Sequence, residues 1–274
     1  MGEEVKTRRP WALLLVVGAI GGVLSGAFGV GGGIVMVPLL VWLARMDQKA
    51  ASATSLAAIV PASIVGSIGY LLEGEVDLLA AAALAVGAVP GSLIGTWLLR
   101  RINVVVLRWL FIALMIVVAI RMLVGEVQRG DDIDRPWWVL LILVGVGLLV
   151  GIASGLFGVG GGVIAVPVLI VGFGAGDLVA KGTSLVMMIA SSVVGSASNL
   201  RAGTVDLRAG LLVGVAATAT SYLGVLLALV MSPQVSAILF AVLLLVSAAQ
   251  LTQRTVRGHL AARALRRRED PDPA

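Results

Sequence analysis

The sequence contains no cysteine and a single histidine, and only 13% of its 274 residues are charged. The absence of cysteine excludes disulfide bonds, thiolate metal sites and a cysteine nucleophile. The one histidine, His259, lies in a basic tail, where a solvated side chain is favoured over a catalytic one. No residues have the spacing of a metal site or of a Ser/His/Asp set. We therefore expect no catalytic residues, no metal and no enzymatic activity.

Nucleotide-binding loops are also missing. The glycine-rich strings of this chain do not have the Gly-x-Gly-x-x-Gly spacing between a strand and a soluble helix, and there is no Walker-type loop. No cofactor is therefore expected, and ATP is not the expected source of energy.

Charged residues are almost absent from the long apolar runs that recur from about residue 11 to about residue 250. The chain is 59% hydrophobic and its mean hydropathy is +1.07, well above the roughly half-apolar composition of soluble domains. We predict a multi-pass protein of the cell membrane, in contact with the lipid bilayer and without a soluble domain. The interiors of the runs hold almost no Asp, Glu or His, so no buried proton relay is visible.

Basic residues flank the membrane part of the chain. Such clusters bind nucleic acid in some proteins, but beside membrane spans they more often mark the cytoplasmic side, so both termini are predicted to be cytoplasmic and no nucleic-acid partner is expected. The first apolar run resembles a signal peptide, but its counterpart recurs near residues 140–153, so we expect it to be retained. The flanking residues are Lys6, Arg8 and Arg9 before the first run, and Arg254, Arg257, Arg263, Arg266, Arg267 and Arg268 after the last.

One nine-residue string occurs twice, as SGAFGVGGG from Ser25 and as SGLFGVGGG from Ser154, an offset of 129 positions. The same offset relates flanking residues, such as the Thr-Ser-Leu that begins at Thr54 and the one that begins at Thr183. The chain therefore consists of two copies of one sequence repeat. The predicted segments are a basic N-terminus 1–10, a first transmembrane repeat 11–124, an external linker 125–135, a second transmembrane repeat 136–251 and a basic, partly disordered tail 252–274.

The apolar runs differ in length within each half. Three runs per half are long enough to cross the bilayer, whereas the runs near 11–25 and 34–44 would reach only about 22 Å and about 16 Å of the roughly 30 Å required. Each short pair is predicted to dip to mid-membrane and return, which also agrees best with the positive-inside rule. The predicted fold class is an all-α polytopic membrane protein with an inverted repeat, in which each half has one re-entrant or broken helical hairpin plus three full transmembrane helices.

The duplicated glycines are the first candidate substrate-binding residues. Glycine adopts backbone angles closed to other residues and lets a ligand approach the main-chain N–H groups. A short helix leaves each string, with Pro38 or Pro167 at or near its first turn, and would aim its positive N-terminus at the membrane centre. Two such ends meeting there would bind an anion. The candidates are Gly29, Gly31, Gly32, Gly33, Gly158, Gly160, Gly161 and Gly162.

The alternative interpretation of these glycines is close helix packing without a ligand. We expect packing for the glycines at four-residue spacing, and a site for the duplicated strings as a whole. The packing glycines are Gly18, Gly22, Gly26, Gly87, Gly91 and Gly95.

Polar residues near the strings are further candidates. The duplicated hydroxyls of Thr54, Ser55, Thr183 and Ser184 would bind an oxyanion or bond to their own helix backbone, and neither alternative is favoured. Asn199 takes the position of Tyr70 in the repeat and is included as a candidate. Lys181 takes the position of Ser52, and we expect it to snorkel to the interface rather than to attract an anion.

The two glycine strings, the Thr-Ser-Leu that follows each and the twofold pattern of apolar runs resemble the TauE/SafE family of sulfite and sulfonate exporters, in the 4-toluene sulfonate uptake permease superfamily. The resemblance covers about residues 11–250 and implies permease activity toward small sulfur oxyanions or organosulfonates, usually outward. We expect a secondary transporter, an exporter of anions such as sulfite or sulfoacetate, with its site between the two glycine breaks.

Two other functions stay open. One is transport of another small anion, such as a carboxylate or phosphonate, and the other is a non-transporting membrane protein that binds a ligand or acts as a scaffold. The sequence does not define the exact substrate, the direction and ion coupling, or the oligomeric state, and it is compatible with a homo-oligomer.

Overall fold

The structure is a computed structural model that describes residues 11–101, 104–124 and 137–269. These residues form helices and no strand, which confirms the all-α class. The helices are α1 (Trp11–Phe28), α2 (Gly33–Trp42), α3 (Gln48–Leu72), α4 (Leu78–Arg101), α5 (Val104–Val124), α6 (Trp137–Phe157), α7 (Gly162–Pro167), α8 (Asp177–Arg201), α9 (Leu207–Val230) and α10 (Pro233–Glu269). A π-helical turn, Val168–Gly172, continues α7.

Within the described ranges, seven helices are long and apolar enough to cross a membrane: α1, α3, α4, α6, α8, α9 and the part of α10 from Pro233 to Gln253. The multi-pass prediction is therefore confirmed. The predicted segments 1–10 and 125–135 lie outside the described residues, and α10 continues through most of the predicted tail. The repeat boundaries stay predictions.

The first helix of each half is longer than predicted. α1 has 18 residues and α6 has 21, so they are about 27 Å and about 32 Å long. The predicted lengths are wrong, because helical structure continues into each glycine string as far as Phe28 and Phe157, and both helices are long and apolar enough to cross. Each helix nevertheless ends at its glycine turn, as predicted for a broken hairpin.

α2 and α7 are short, with 10 and 6 residues. Gly33 and Gly162 are their first residues, so Pro38 and Pro167 lie early in the second turn, near the first turn as the sequence had suggested. The first turn of each helix is therefore free of proline, and its N–H groups are all present.

Glycines allow two helix pairs to pack closely, α1 with α9 and α4 with α6. A Cβ atom at any of these glycines would lie on the backbone of the partner helix, which confirms the expected close packing. The matching turns are Gly18 with Val213, Gly22 with Ala217, Gly26 with Ser221, Gly87 with Val144, Gly91 with Leu148 and Gly95 with Ile152. Since residue numbers rise together in both pairs, each pair is parallel.

Contacts in the centre give the remaining directions. α3 and α8 are antiparallel, because Gly66 lies against Leu185 and Gly195 lies against Leu56. α3 runs parallel to α9, because Gly210 lies near Thr54 and Gly214 lies near Ala58. α8 runs parallel to α4, because Ser92 contacts Ser191 and Thr96 contacts Ser198. Thus α1, α3 and α9 run one way and α4, α6 and α8 the other. Because α1 and α3 are parallel, the chain must turn back between them, and α2 provides this return.

Candidate functional site

The two glycine strings form matching turns between α1 and α2 and between α6 and α7. Gly29, Gly31 and Gly32 have φ of 66°, 72° and 68°. Their counterparts Gly158, Gly160 and Gly161 have φ of 70°, 86° and 93°. Six left-handed residues at equivalent places need glycine, since a Cβ atom is strongly disfavoured there.

The two turns contact each other directly. A Cβ atom at Gly33 would lie 2.6 Å from the Cα of Val159, and a Cβ atom at Gly162 would lie 2.6 Å from the Cα of Val30. The reciprocal contacts explain why the last glycine of each string is needed although its φ is ordinary. The structure thus brings all eight predicted glycines together in one buried junction, which we call the turn junction.

The turn junction lies halfway along the central helices. Ile59 of α3 and Met188 of α8 both cover Gly31 and Gly160, and both side chains are fully buried. Each lies within one residue of the middle of its 25-residue helix. The junction is therefore at mid-depth of the bundle and not at either end. Ile59 and Met188 are themselves 129 positions apart.

Most main-chain N–H groups of the junction have no hydrogen-bond partner among the described residues. Gly29 N–H donates to the Ser25 carbonyl, and Val35 and Met36 N–H donate to the Gly32 carbonyl. The five N–H groups of residues 30–34, which lie between Gly29 and Val35, make no hydrogen bond to any described residue. The five N–H groups of residues 159–163 make none either. These residues are all buried, and about 90% or more of buried backbone N–H groups in proteins have a partner.

Ser184 is the predicted hydroxyl that reaches the junction. Its Oγ donates to the Gly29 carbonyl at 2.8 Å and lies 3.8 Å from the Met188 sulfur. The equivalent Ser55 is also fully buried and lies 3.9 Å from the sulfur of Met36, on α2. Both serines thus connect α3 or α8 to a glycine hairpin.

The two threonines instead attach loops to the central helices. Thr183 Oγ1 accepts a hydrogen bond from Asp77 N–H at 2.9 Å, and Thr54 Oγ1 accepts one from Asp206 N–H at 3.1 Å. Asp77 and Asp206 precede α4 and α9, and each carboxylate caps that helix. The threonine side chains therefore join each half to the helix start of the other half.

Asn199 does not lie at the turn junction. It is 11 residues beyond Met188 on α8, about 16 Å along the helix axis. Its side chain is 1% exposed, and neither polar atom has a partner among the residues that the structure describes. The residue at the equivalent position, Tyr70, donates from its hydroxyl to the Gly26 carbonyl at 2.8 Å, a distance that the shorter asparagine does not span.

Lys181 is buried rather than snorkelled. It is 2% exposed, and Nζ contacts Asp177 Oδ2 at 2.7 Å and Ser236 Oγ on α10 at 2.6 Å. The prediction of an interfacial lysine is wrong because Asp177, one turn earlier, supplies a counter-ion inside the bundle. The main chain of Lys181 also packs on Gly29, as that of Ser52 packs on Gly158.

Two cavities approach the junction. One, of about 40 Å³, is lined by residues that include Gly33 and Val159 of the junction and the polar Gln48, Ser247 and Gln250. A second, of about 300 Å³, lies beside α7 and is lined by residues that include Val118, Arg121 and Pro167. These three are the counterparts of Ser247, Gln250 and Pro38 in the first cavity. Each half therefore has a cavity beside its short helix.

Sequence reasoning did not identify Ile59, Met188 or the Lys181–Asp177 pair as parts of the site region. Ile59 and Met188 are apolar residues among many, and only their shared offset of 129 positions distinguishes them. The spacing of Asp177 and Lys181, four residues apart in a helix, is a sequence signal for an ion pair. In the part of the chain that the structure describes, no group of residues is arranged to hold a metal ion.

In the described part of the chain, seven helices could span a membrane, and two of them form broken hairpins with α2 and α7 that meet at mid-depth. This arrangement is typical of a multi-pass membrane protein of the transporter class. The family model described as "Sulfite exporter TauE/SafE" matches residues 2–122 and 143–272. The chain belongs to this family, and it is a membrane transporter with a small-molecule substrate.

Two relatives illustrate the similarity. The "Probable membrane transporter protein YunE" of Bacillus subtilis is 28% identical over 219 residues, which cover 72% of this chain and 80% of the relative. A "Probable membrane transporter protein" of Haemophilus influenzae is 31% identical over 169 residues, which cover 57% of this chain and 61% of the relative. No solved structure shows a significant match.

Proposed function

We propose that this chain is a secondary transporter that exports small sulfur-containing anions, such as sulfite, sulfoacetate or other organosulfonates, through the turn junction. The observation that carries the proposal is the set of ten buried main-chain N–H groups at 30–34 and 159–163 that have no acceptor among the described residues. A sulfonate or sulfite offers three oxygen acceptors and a negative charge to such donors.

The electrostatics of the junction favour an anion over a cation. The donors belong to the N-terminal ends of α2 and of the helical segment Gly162–Gly172, where the helix dipole is positive. A cation site inside a membrane would use carboxylates. Of the buried carboxylates described above, Asp177 is already paired with Lys181, and Asp77 caps α4.

In this proposal the site is closed by two apolar side chains. Ile59 and Met188 lie over Gly31 and Gly160, so a substrate must displace them before it reaches the N–H groups. Met188 is the better candidate for the moving side chain, since methionine is unbranched and flexible. Main-chain donors thus provide the affinity, and the two apolar side chains provide the gate.

Helix directions support an inverted repeat. Each of α1, α3 and α4 runs opposite to its counterpart α6, α8 or α9, as the residue pairs above require. Transporters built in this way move by rocking one repeat against the other around a central site. The cavities beside α2 and α7 would then be the two access routes, each open in one state.

The membrane potential supplies a driving force for export. With a negative cytoplasm, each negative charge that leaves gains about 2.3 kcal/mol per 100 mV. Outward transport of a sulfonate therefore needs no coupled ion, which agrees with the scarcity of carboxylates inside the bundle.

The decisive experiment measures uptake and release of labelled sulfite and sulfoacetate by liposomes that contain the purified protein. Wild type should pass both anions. The double variant Gly32→Val with Gly161→Val should stop the flux, because a Cβ at Gly32 would lie on the backbone of Gly21 and one at Gly161 would lie on Val150. Gly145→Val is the matched control, since nothing lies within 4 Å of a Cβ there.

Two results would contradict the proposal. One is unchanged flux in the double variant. The other is selective competition by carboxylates or phosphonates but not by sulfonates, which would favour the other anion class. Thermal stabilisation by sulfonates without any flux in wild type would instead support a binding protein.

A further inference from the structure

A lipid-facing groove runs between α3, α8 and α9, away from the turn junction. Its volume is about 820 Å³, and it is lined by residues that include Ala57 and Pro61 of α3, Ala197 and Leu200 of α8, and Gly214 of α9. It extends along α9 from Leu207 to Ala219, about 18 Å. This exceeds half of the roughly 30 Å hydrocarbon thickness, so the groove has the depth of one bilayer leaflet.

The lining of the groove is almost entirely apolar. Two of its polar members are Ser196 and Thr218, and the Thr218 hydroxyl donates to the Gly214 carbonyl of its own helix. Small residues at Ala197, Gly210 and Gly214 provide the depth, since a Cβ added at either glycine would meet its neighbours only at ordinary contact distance. The groove therefore fits a hydrocarbon chain rather than a polar ligand.

Two exposed arginines stand at one end of this groove. Arg201 ends α8 directly after the lining residue Leu200, and Arg208 follows the lining residue Leu207 at the start of α9. The intervening Asp206 uses its carboxylate to cap α9, where it accepts from Ala209 N–H at 3.1 Å. A negatively charged group at this end would meet two guanidinium groups.

The other half of the protein lacks this combination. At the positions equivalent to Arg201 and Arg208 it has Leu72 and Leu79, and its loop carries Glu73 and Glu75. The equivalent groove positions are also larger: Ile64 for Val193, Ile68 for Ala197, Ala81 for Gly210 and Ala85 for Gly214. Only the second half therefore combines the small lining residues with the two arginines.

We propose that this groove binds one acyl chain of an anionic phospholipid, whose headgroup is held by Arg201 and Arg208. The arginines identify the lipid because acyl chains alone would not require a cation at the groove end. They also disfavour a second copy of the chain, since a twofold contact through this face would bring like charges together. Arg201 lies at the same end of the bundle as Arg100 and Arg101, as the 2.9 Å contact between Thr96 and Ser198 shows.

Native mass spectrometry of the purified full chain, titrated with phosphatidylglycerol or phosphatidylcholine, tests the proposal. Wild type should retain one phosphatidylglycerol in preference to phosphatidylcholine. Arg201→Gln and Arg208→Gln should each weaken phosphatidylglycerol binding by roughly fivefold, and phosphatidylcholine binding should not change. Arg100→Gln and Arg101→Gln, also tested singly, each remove the same charge at the same end of the bundle, outside the groove, and should have no effect on the retained lipid.

A second variant tests the groove itself. Ala197→Ile with Gly214→Ala introduces the residues of the other half and should weaken binding of both lipids, whereas glycerol phosphate should not bind even wild type. The proposal is overturned by equal binding of the two lipids to wild type, or by arginine variants that bind like wild type. It is also overturned if the protein is a dimer that this groove variant dissociates without any change in lipid binding, which would assign the groove to a second copy.

Discussion

Lys181 Nζ lies 2.7 Å from Asp177 Oδ2, and the two side chains are 2% and 1% exposed. The ammonium also contacts Ser236 Oγ at 2.6 Å, so the pair links α8 to α10. The first half has Gln48 and Ser52 at the equivalent positions. A buried ion pair thus replaces a neutral pair on one side of the molecule only, directly beside Gly29.

The first prediction concerns the energy of this pair. Lys181→Ser leaves a buried carboxylate without its counter-ion and should lower the free energy of unfolding by roughly 3–5 kcal/mol. The double variant Asp177→Gln with Lys181→Ser restores the neutral pair of the first half and should recover most of that loss. Thermal unfolding in detergent measures both, and a double variant less stable than the single one would contradict the prediction.

A second prediction separates backbone strain from close packing in the glycine turns. Gly32→Ala and Gly203→Ala both place a Cβ at positive φ, 68° and 67°, which costs about 1–2 kcal/mol. Only Gly32 also faces a backbone, that of Gly21, whereas nothing lies within 4 Å at Gly203. Gly32→Ala should therefore destabilise the protein more in a thermal unfolding assay. Equal losses would mean that the turn relaxes easily.

The gate gives a third prediction. Met188→Ala should raise the flux of a bulky sulfonate relative to sulfite by roughly tenfold or more, because it removes a side chain that covers both turns. Met187→Ala is the matched control, since Met187 is also fully buried and its truncation costs a comparable 2–5 kcal/mol. If both variants change selectivity alike, the effect comes from a loosened core and not from a gate.

A fourth prediction concerns the threonines. Thr54→Val and Thr183→Val should each cost about 1–2 kcal/mol, because the N–H of Asp206 or Asp77 loses its acceptor. Their effects should be similar, since the two contacts are equivalent, and the KM for sulfonate flux should stay near that of wild type. A large rise in KM with unchanged stability would show that these hydroxyls bind substrate.

The glycine turns were the most predictable part of the fold. Left-handed backbone at Gly29, Gly31 and Gly32 requires glycine, so the sequence reveals where the chain breaks and that the break is repeated. The length of α1 was not predictable in the same way. Its last turn depends on Gly26 packing against Ser221 of α9, a contact between residues far apart in the chain.

Side-chain roles were predictable only where the partner is nearby in sequence. Asp177 and Lys181 are one turn apart, whereas the partners of Thr54 and Thr183 lie in the loops before α9 and α4. The sequence did not indicate that Asn199 is buried, except that Asn199 occupies the position equivalent to Tyr70 in the repeat. A polar side chain limits the kinds of contact that a residue can make. Which contact forms depends on which helices pack beside the residue in the bundle.

The glycine-lined pairs α1 with α9 and α4 with α6 each combine one helix from either half of the chain. A polypeptide that carried a single copy of the repeat would have to obtain these partners from another molecule inserted the opposite way up. During synthesis, likewise, the first hairpin can pack against α3 as soon as α3 is made, but the glycine face of α1 has no partner until the ninth helix has left the ribosome.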